Sequence, residues 1–516
     1  SVRAQLYPRW ELCIADDASP SDEVRDVLRQ YSESDPRIKV VFRPKNGHIS
    51  AASNSALEVV TGNWMALMDH DDLLPEQALY RIAQCIAAHP QARLVYSDED
   101  KIDDSGVRFD PYFKPDWNFD LFRSQNTFSH LGVLQTALVR EVGGFRQGLE
   151  GSQDWDLVLR CVERVAPEQI LHVPHVLYHW RVHAESTAGS MKAKPYAAVA
   201  GERALNEHFA RTGTRATAEY LSIGYRARYA LPDTPPRVSI VIPTRNAHRL
   251  VRQCIDSIVS KTSYPNYDIV LVDNGSDDPA ALAYFEALAQ RPNIRVLRDA
   301  RPFNYSALNN AAVAVATGEL VALVNNDIEV LSPDWLSELA SIALQPGVGA
   351  VGARLWYPDR TLQHAGLVLG MGGIAGHAHK GLPEGLNGYA GRAALIQSFS
   401  AVTAACMVVQ TARYREVGGL DEANLPVAYN DVDFCLRLRR AGYRNVWTPY
   451  AQLLHHESAT RGDDVAPEKQ ARLARESAFM QARWGDLIAH DPAYSPNLTL
   501  ASENFDYAWP PRVDAP

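Results

Sequence analysis

Two clusters of acidic and amide side chains could hold a divalent metal ion. Asp69 and Asp71 form the first, and Asn325, Asp327 and Glu329 form the second; each follows an apolar run that starts at a Thr-Gly pair. Oxygen ligands of this kind suit Mg²⁺ or Mn²⁺, which keep coordination positions open for phosphate oxygens. A polar turn that caps the next helix would use the same residue types, so the clusters alone leave both interpretations open.

Asp16 and Asp273 end another apolar run in each half of the chain. A carboxylate at the end of a strand can accept hydrogen bonds from the N–H groups of a base or from a ribose. The run Asp273-Asn274-Gly-Ser is also good Asx-turn chemistry, and both interpretations can hold together. Because these aspartates are expected at a neighbouring strand end, they favour a metal with a nucleotide over a polar turn.

Asp154 and Asp431 each stand just before a run with apolar residues at helical spacing. A carboxylate at a helix N-terminus is stabilised in its ionised form by the helix dipole. That position is typical of a simple cap, and an ionised carboxylate is also what a general base requires. Asp156 and Asp433, two residues further on, are interpreted as residues of the first helical turn.

The histidines near the end of each half are candidates for a single metal ligand. The segment 172–183 holds four histidines, but its apolar pattern predicts a strand and a loop rather than a zinc site. One histidine in each half precedes a serine at the same spacing. These are His183 and His455, with His456 as the alternative to His455.

These residues recur because the chain contains a duplicated domain. The Thr-Gly pairs at 61 and 317 are offset by 256 residues, and the carboxylates at 154 and 431 by 277. A period of this length is far too long for a solenoid repeat. The predicted order is a first domain at 1–190, a helical and extended linker at 191–236, a second domain at 237–460, and a C-terminal helix and tail at 461–516.

Strands that alternate with helices in both halves predict an α/β fold with a mainly parallel sheet, in which ligands bind outside the carboxyl ends of the strands. The second half opens with an apolar strand at 238–242 and a helix at 248–260, and the first half has no counterpart to that strand.

The run 347–352 fits a Gly-x-Gly-x-x-Gly pattern, but it follows a predicted helix and leads into a predicted strand, so it is not interpreted as a dinucleotide motif. We expect the tail after 492 to lie along the surface.

Composition narrows the class of protein. The 516 residues carry a net charge of −10, which argues against nucleic acid as the main ligand. No apolar run reaches the length of a bilayer span, and six scattered cysteines indicate reduced thiols and a cytoplasmic location. A predicted helix at 465–484 carries four basic residues. Its ordinary interpretation is a solvated face, and peripheral contact with the inner face of a membrane is the alternative.

Taken together, the motifs resemble those of family 2 glycosyltransferases of the GT-A fold, in two tandem copies. The resemblance rests on Ile-Val-Ile-Pro-Thr-Arg245-Asn246, Val-Asp273-Asn-Gly-Ser, the two acidic clusters, Gly-Gly-Phe or Gly-Gly-Leu, and the aspartates at 154 and 431. Tandem copies of this kind resemble bacterial enzymes that build O-antigen and other surface polysaccharides. The implied activity is inverting transfer of a sugar from a UDP- or dTDP-sugar to a saccharide or a lipid-linked saccharide, of the hexosyl or rhamnosyl type.

The resemblance also implies roles for the residues. Asp16 and Asp273, with Arg245 and Asn274, would contact the nucleotide. Asp69 and Asp71 in the first copy, and Asn325 and Asp327 in the second, would hold the metal with His183 and His455. Asp154 and Asp431 would be the catalytic bases.

Three departures from the family pattern bear on activity. Gln153 and Asn430 stand where the family usually has Glu before the catalytic Asp, and Asn325 removes one charge from the second metal site. The first copy keeps both metal-site aspartates but lacks the opening strand. The second copy is therefore the safer candidate for activity, and one active module with a binding or scaffold module is the alternative to two active modules.

Overall fold

The computed structural model describes residues 1–182, 195–457 and 466–513. The first module contains a broken sheet with helices around it. Its strands are β1 Leu12–Asp16, β2 Ile38–Phe42, β3 Trp64–Ala66, β4 Leu94–Ile102, β5 Arg108–Tyr112, β6 Gly132–Gln135 and β7 Ile170–Arg181. Its helices are α1 Asp22–Ser34, α2 His48–Glu58, α3 Ala78–Ala88, α4 Phe119–Phe122, α5 Thr136–Glu141 and α6 Gln153–Val162. A connecting segment follows, with α7 Pro195–Thr212 and the antiparallel hairpin β8 Ala216–Leu221 and β9 Gly224–Tyr229.

The second module is built around one large sheet. The strands of this module are β10 Val238–Thr244, β11 Tyr267–Asp273, β12 Ile294–Arg298, β13 Leu320–Val324, β14 Ile328–Val330, β15 Val348–Trp356, β16 Leu362–His364, β17 Leu367–Leu369, β18 Ala375–His377, β19 Gln397–Phe399, β20 Cys406–Gln410 and β21 Arg444–His455. Of these, β17 and β18 form a separate pair. Its helices are α8 His248–Lys261, α9 Pro279–Ala289, α10 Tyr305–Val315, α11 Trp335–Ala343, α12 Thr411–Glu416 and α13 Asn430–Arg440. A last helix, α14 Pro467–Ala489, is followed by a tail.

The sheet of the second module has a parallel half and a mixed half. Its order is β12-β11-β10-β13-β20-β15-β21-β14. The first four strands are parallel, whereas β20 is antiparallel to both β13 and β15. Every residue of β10 and β13 is buried, because apolar side chains pack against helices on both faces. The α/β class expected from the sequence is confirmed, and the parallel half brings the ends of β10, β11 and β13 to one edge.

The corresponding sheet of the first module is divided. β1 and β2 form a separate parallel pair, while β3, β6, β4, β5 and β7 form the other sheet. In the second module, β10 lies between the strands that correspond to β1 and β3; in the described part of the first module no strand lies there. β1 and β3 are consequently only half-buried, and α1 buries none of its residues. Val24 and Val27 of α1 are exposed where α8 would cover their counterparts.

The tail after α14 connects the two modules, which differs from the surface position expected from its turn-rich sequence. Tyr494, Leu498 and Phe505 are buried in the core of the second module. Asn497 reaches the first module, where its side-chain amide donates to Asp98 Oδ2 at 3.0 Å and to the carbonyl oxygen of Pro174 at 2.9 Å. The tail therefore fastens one module to the other.

The interface between the modules is itself polar and buried. Asn118 Nδ2 donates to the Ser398 carbonyl oxygen at 2.8 Å, and Arg444 Nε pairs with Asp120 Oδ2 at 2.7 Å. The hairpin joins the contact through Arg226, which pairs with Glu338 of α11 at 2.7 Å. Because Asp120, Arg226 and Glu338 are buried and paired, separating the modules would leave these charges without their partners.

Candidate functional site

The site of the second module lies at the carboxyl edge of the parallel strands. Thr244 at the end of β10 is the register partner of Asp273 at the end of β11. The turn after β13 carries Asn325, Asn326 and Asp327, and Asn326 Nδ2 donates to Thr244 Oγ1 at 2.9 Å. That hydrogen bond ties the acidic turn to the neighbouring strand end, so the residues predicted to contact nucleotide and metal share one edge of the sheet.

Asp327 faces His455 across a short gap. His455 Nε2 lies 3.2 Å from Asp327 Oδ1 and 3.3 Å from Asn325 Nδ2. Asp327 Oδ1 is buried and has no hydrogen-bond partner among the described residues. The register explains the approach, since Ile328 of β14 pairs with His455 of β21. A buried carboxylate oxygen without a hydrogen bond next to an imidazole nitrogen is a donor pair that suits a divalent metal.

The other ring nitrogen of His455 is held by a glutamine. His455 Nδ1 lies 2.6 Å from Gln363 Oε1, and Gln363 Nε2 in turn donates to Glu457 Oε2 at 3.0 Å. Because Gln363 Oε1 can only accept, Nδ1 donates to it, and Nε2 is the ring nitrogen that faces Asp327, as the ligating nitrogen does in metal-bound histidines. Across residues 1–182, 195–457 and 466–513, no three His, Cys, Asp or Glu side chains form a metal cage. A metal here would therefore need ligands from a diphosphate or water as well.

Asp431 approaches this group from the start of α13. Its Oδ2 accepts from the backbone N–H of Ala404 at 3.1 Å. Tyr305 Oη lies 3.2 Å from both the Ala404 carbonyl oxygen and Asn325 Oδ1. Burial raises the pKa of Tyr305, and the negative charges of Asp431 and Asp327 raise it further. The tyrosine therefore remains a neutral donor that links the acidic turn to the surroundings of Asp431.

Asp433, the carboxylate two residues further along α13, has a different environment. Asp433 is fully buried, pairs with Arg437 Nε at 2.8 Å and accepts from Trp484 Nε1 at 2.9 Å. Asp156 of the first module is buried in the same way between Arg146 and Arg160. Both residues belong to the first turn of their helices, as expected from the sequence.

The residues predicted to contact nucleotide differ in how far their side chains are already engaged. Asp273 accepts from the backbone N–H of Ser276 at 2.8 Å and from Arg298 at 2.7 Å, so the Asx turn is present. Asn274 donates to the carbonyl oxygens of Asp299 and Arg301 and thereby supports that loop. Arg245 is exposed and makes no hydrogen bond or ion pair with the described part of the chain. It is therefore a cation at this edge that is open to a phosphate.

The first module assembles part of the same arrangement. Asp154 begins α6, and its Oδ2 accepts from Ser129 Oγ at 2.6 Å and from Asn126 Nδ2 at 2.9 Å. Asp69 is close enough to Asp71 and Asp154 for their charges to act on it. Asp16 ends β1 and accepts from the Ser19 N–H at 3.2 Å, but it lies across the break in the sheet. The described structure therefore groups Asp69, Asp71 and Asp154, whereas Asp16 belongs to the separate sheet of β1 and β2.

The two sites also differ at the histidine position. Leu73 of the first module corresponds to Glu329 of the second. Leu73 pairs with His179, and Glu329 pairs with Leu454. The residue after His179, Trp180, therefore occupies the position that His455 has in the second module. His183 lies outside the described residues. In the predicted strand β7, His172 contacts Asp98 at 2.7 Å and His179 contacts Asp100. Glu329 and His456 lie 3.7 Å apart and face α8, where Lys261 pairs with Glu329.

Several residues of the second site were not identified from the sequence. Tyr305 and Gln363 are far from the acidic turn along the chain, and Ala404 contributes only its backbone. A pair of histidines adjoins the site as well: His364 Nδ1 lies 2.9 Å from His377 Nδ1. Burial lowers the pKa of His364 and of His377, so the pair is uncharged at neutral pH. No motif in the sequence marks these contacts, because they depend on the irregular region between β15 and β20.

Comparison with known proteins defines the class. The Glycosyl transferase family 2 profile matches residues 1–141 and 239–376, more than half of the chain. The chain therefore belongs to glycosyl transferase family 2, and its two α/β modules are GT-A modules in tandem.

Relatives extend the match over nearly the whole chain. It is 54% identical over 509 residues to uncharacterized protein y4gI of Sinorhizobium fredii (strain NBRC 101917 / NGR234), covering 98% of this chain and 56% of the relative. It is 38% identical over 506 residues to O-antigen biosynthesis protein RfbC of Myxococcus xanthus, covering 97% of this chain and 39% of that protein. The chain thus spans about half or less of the length of these relatives. A solved mannosyltransferase from Pyrobaculum calidifontis is 17% identical with a TM-score of 0.36, covering 51% of this chain and 72% of that one.

Proposed function

We propose that the second module transfers a sugar from a nucleoside diphosphate sugar to a hydroxyl group of a saccharide acceptor, with inversion at the anomeric carbon. The observation that supports this most is the convergence of Asp431 with Asp327 and His455 at the carboxyl edge of the parallel strands, through Ala404 and Tyr305. An inverting transfer needs these groups together, because the base must face the acceptor while the diphosphate leaves on the opposite side.

The nucleotide would lie across the ends of β10 and β11. Asp273 would accept from the base or the ribose with the lone pairs that Ser276 and Arg298 leave open, and Arg245 would pair with the diphosphate. Asn274 would shape the loop beneath the nucleotide rather than contact it directly. The donor is a UDP- or dTDP-sugar, and the transferred unit is a hexose or a rhamnose.

Asp327 and His455 fit a resident Mg²⁺ or Mn²⁺, with Asn325 as a third neighbour. The buried Asp327 oxygen without a hydrogen bond and the oriented His455 nitrogen support this assignment. When bound, the metal would neutralise charge on the diphosphate. Gln363 and Glu457 would fix the orientation of the imidazole, and loss of such outer contacts typically lowers metal affinity about 10–100-fold.

The chain's own residues account for the proton transfer. Asp431 would take the proton from the acceptor hydroxyl as that oxygen forms its bond to the anomeric carbon, while the bond from this carbon to the diphosphate breaks. Asp431 lies in the first turn of α13, and the Ala404 N–H donates to its Oδ2 at 3.1 Å, which orients the carboxylate for this task. General-base assistance of this kind contributes about 10²–10⁴-fold to a rate.

The proposed setting is bacterial surface polysaccharide synthesis of the O-antigen type, with a lipid-linked saccharide as acceptor at the inner face of the cytoplasmic membrane. The similarity to a protein named for O-antigen biosynthesis supports it. Within the described ranges, no helix combines the length and the apolar character that crossing a membrane requires. On α14, Arg483 pairs with Asp421 and Asp433, so the side of the helix that carries this arginine packs on the module.

A second candidate function applies to the first module: it binds carbohydrate or nucleotide without turnover in this chain. The tryptophan at the position of His455 supports this alternative. Asp154→Asn would then leave product formation unchanged, while Asp431→Asn would abolish it. If both substitutions each removed a different linkage from the product, the first module would be a second active site.

The test of the proposed activity is a donor screen. The chain is incubated with UDP- and dTDP-sugars, Mn²⁺ or Mg²⁺ and short saccharide acceptors, and both the nucleoside diphosphate released and the anomeric configuration of the product are measured. The proposal predicts release with one donor and a product of inverted configuration. Retention of configuration would contradict the role given to Asp431.

A further inference from the structure

A cavity of about 490 Å³ opens between the loop after β18 and the C-terminal tail, apart from the edge of the parallel strands. The loop contributes His379, Lys380 and Tyr389, and the tail contributes Asn504, Phe505 and Tyr507. Concave sites of this size with aromatic walls and a few polar side chains are typical of small-molecule binding.

The walls offer flat apolar faces and uncharged polar atoms. The His379 ring stacks on Phe505 with centroids 3.9 Å apart, and Tyr507 is 55% exposed beside the opening. His379 is 2% exposed, and its Nε2 has no hydrogen-bond partner in the described ranges. Burial lowers the pKa of His379 to about 3, so the imidazole is neutral and can donate or accept one hydrogen bond. A buried polar atom left without a partner costs free energy, which a ligand hydroxyl would recover after a shift of the ring that uncovers Nε2.

The lining of the cavity carries one cation and one carboxylate, Lys380 and Asp506. Behind the lining, Glu503 lies 3.6 Å from Lys380, and Asn504 Nδ2 donates to Asp506 Oδ2 at 2.5 Å. No excess of one sign is present to select an anion or a cation. A neutral sugar has apolar C–H faces and hydroxyl groups. These match aromatic faces and amide or imidazole groups better than a charged ligand does.

Two chain segments lead from the candidate active site to this cavity. The His377 N–H donates to Glu503 Oε1 at 2.9 Å, and His377 is close enough to Asp431 to sense its charge. His379 and Lys380, which line the cavity, follow His377 by two and three residues. Asn504, also in the lining, directly follows Glu503. Three residues span at most about 10 Å even when fully extended, so the wall of the cavity begins within that distance of His377.

We propose that this cavity is a subsite for a neutral oligosaccharide, and that it holds the part of the acceptor chain that does not react. The inference rests on the proposed function for its role in transfer, but oligosaccharide binding in the cavity can be measured without turnover. In transfer, the subsite would position the acceptor hydroxyl by anchoring sugars remote from it, which converts binding into orientation.

The experiment uses the full chain, fluorescently labelled, on an array of short neutral oligosaccharides built from rhamnose, mannose, glucose, galactose and N-acetylhexosamines. The subsite predicts binding to a subset of the array. Tyr507→Ala should weaken that binding about ten-fold, as loss of an aromatic contact predicts. Tyr507→Phe should retain it. Trp509→Ala is the matched control, because Trp509 is an aromatic residue of the same tail that is 93% exposed and does not line the cavity.

Two further arms separate this inference from the proposed activity. Binding should persist in Asp431→Asn and in the presence of excess UDP, because neither change touches the cavity. Absence of binding to every oligosaccharide, equal binding by Tyr507→Ala and the parent chain, or loss of binding in Asp431→Asn would each overturn the subsite. If binding behaves as expected but no donor releases a nucleoside diphosphate, the proposed activity fails and the binding site stands.

Discussion

Asp327 Oδ1 and His455 Nε2 lie 3.2 Å apart, and Gln363 Oε1 lies 2.6 Å from the other ring nitrogen of His455. With a hydrogen on Nδ1 alone, the lone pair of Nε2 faces the carboxylate; with a proton on Nε2 as well, the two side chains form an ion pair. The protein maintains the arrangement by pairing β14 with β21 and by holding Nδ1 on Gln363. A divalent metal bound between the two side chains would take the place of that proton.

The first prediction concerns metal affinity. His455→Ala should weaken Mn²⁺ binding in the presence of UDP by at least about 100-fold, and Gln363→Leu by about 10–100-fold, because one removes a ligand and the other its support. Manganese binding followed by electron paramagnetic resonance measures this without turnover. His456→Ala is the control: it changes the neighbouring histidine, which faces Glu329 and Gln253, and should leave the affinity unchanged. Equal loss in His456→Ala would place the metal elsewhere.

The second prediction concerns the diphosphate. Arg245→Ala should weaken UDP binding about ten-fold, since a charge-assisted contact is worth roughly 1.5–3 kcal/mol. The midpoint of thermal unfolding should not change, because the Arg245 side chain is exposed and makes no hydrogen bond or ion pair with the described part of the chain. Arg249→Ala, an exposed arginine four residues away, is the matched control for calorimetric titration. An unchanged UDP affinity in Arg245→Ala would remove this arginine from the nucleotide site.

The third prediction concerns the connection between modules. Asn497→Ala should lower the free energy of unfolding by about 1–3 kcal/mol, because it leaves a buried oxygen of Asp98 without one of its donors. Urea unfolding measures the change. Asn504→Ala, an exposed asparagine of the same tail, should be nearly neutral. A neutral Asn497→Ala would mean that the tail contact carries no stability.

The fourth prediction concerns pH. Burial alone would lower the pKa of His172, but the charge of Asp98 and hydrogen bonds to Asp116 and Asp98 raise it from 6.5 to about 9. A raised folded-state pKa stabilises the protein fully below pH 6.5, and the contribution is lost as pH rises through about 9. The stability difference between the parent chain and His172→Gln should therefore shrink by on the order of 3 kcal/mol across that window. A pH-independent difference in urea unfolding would contradict the buried ion pair.

Much of the framework could be predicted from the sequence because its signals are local. The apolar runs that end at Asp273 and before Asn325 are strands β11 and β13. The Gly-rich run 347–352 was predicted to lead into a strand, and β15 already begins within it, at Val348. Apolar periodicity and strand ends are properties of short windows, so a single sequence reveals them. The same reasoning identified the duplication, since each landmark appears twice.

What could not be predicted depends on distant partners. The closing helix was expected to end at 484, before Gly485, but α14 runs to Ala489. Burial of Trp484 and Ile488 outweighs the cost of roughly 1 kcal/mol that a glycine adds inside a helix. Gln363 contacts His455 although 92 residues separate them in the sequence. The turn-rich sequence of the tail predicts a surface position, because it does not indicate that the tail contacts Asp98 and the core.

The most direct test of the account is the comparison of Asp431→Asn with the parent chain in nucleoside diphosphate release from the donor that the screen identifies. The account predicts a rate about 10²–10⁴-fold lower for Asp431→Asn with UDP or dTDP affinity unchanged, and an unaltered rate for Asp154→Asn if only the second module is active. A rate for Asp431→Asn within a small factor of the parent rate would contradict the assignment of this aspartate as the base and, with it, the proposed site.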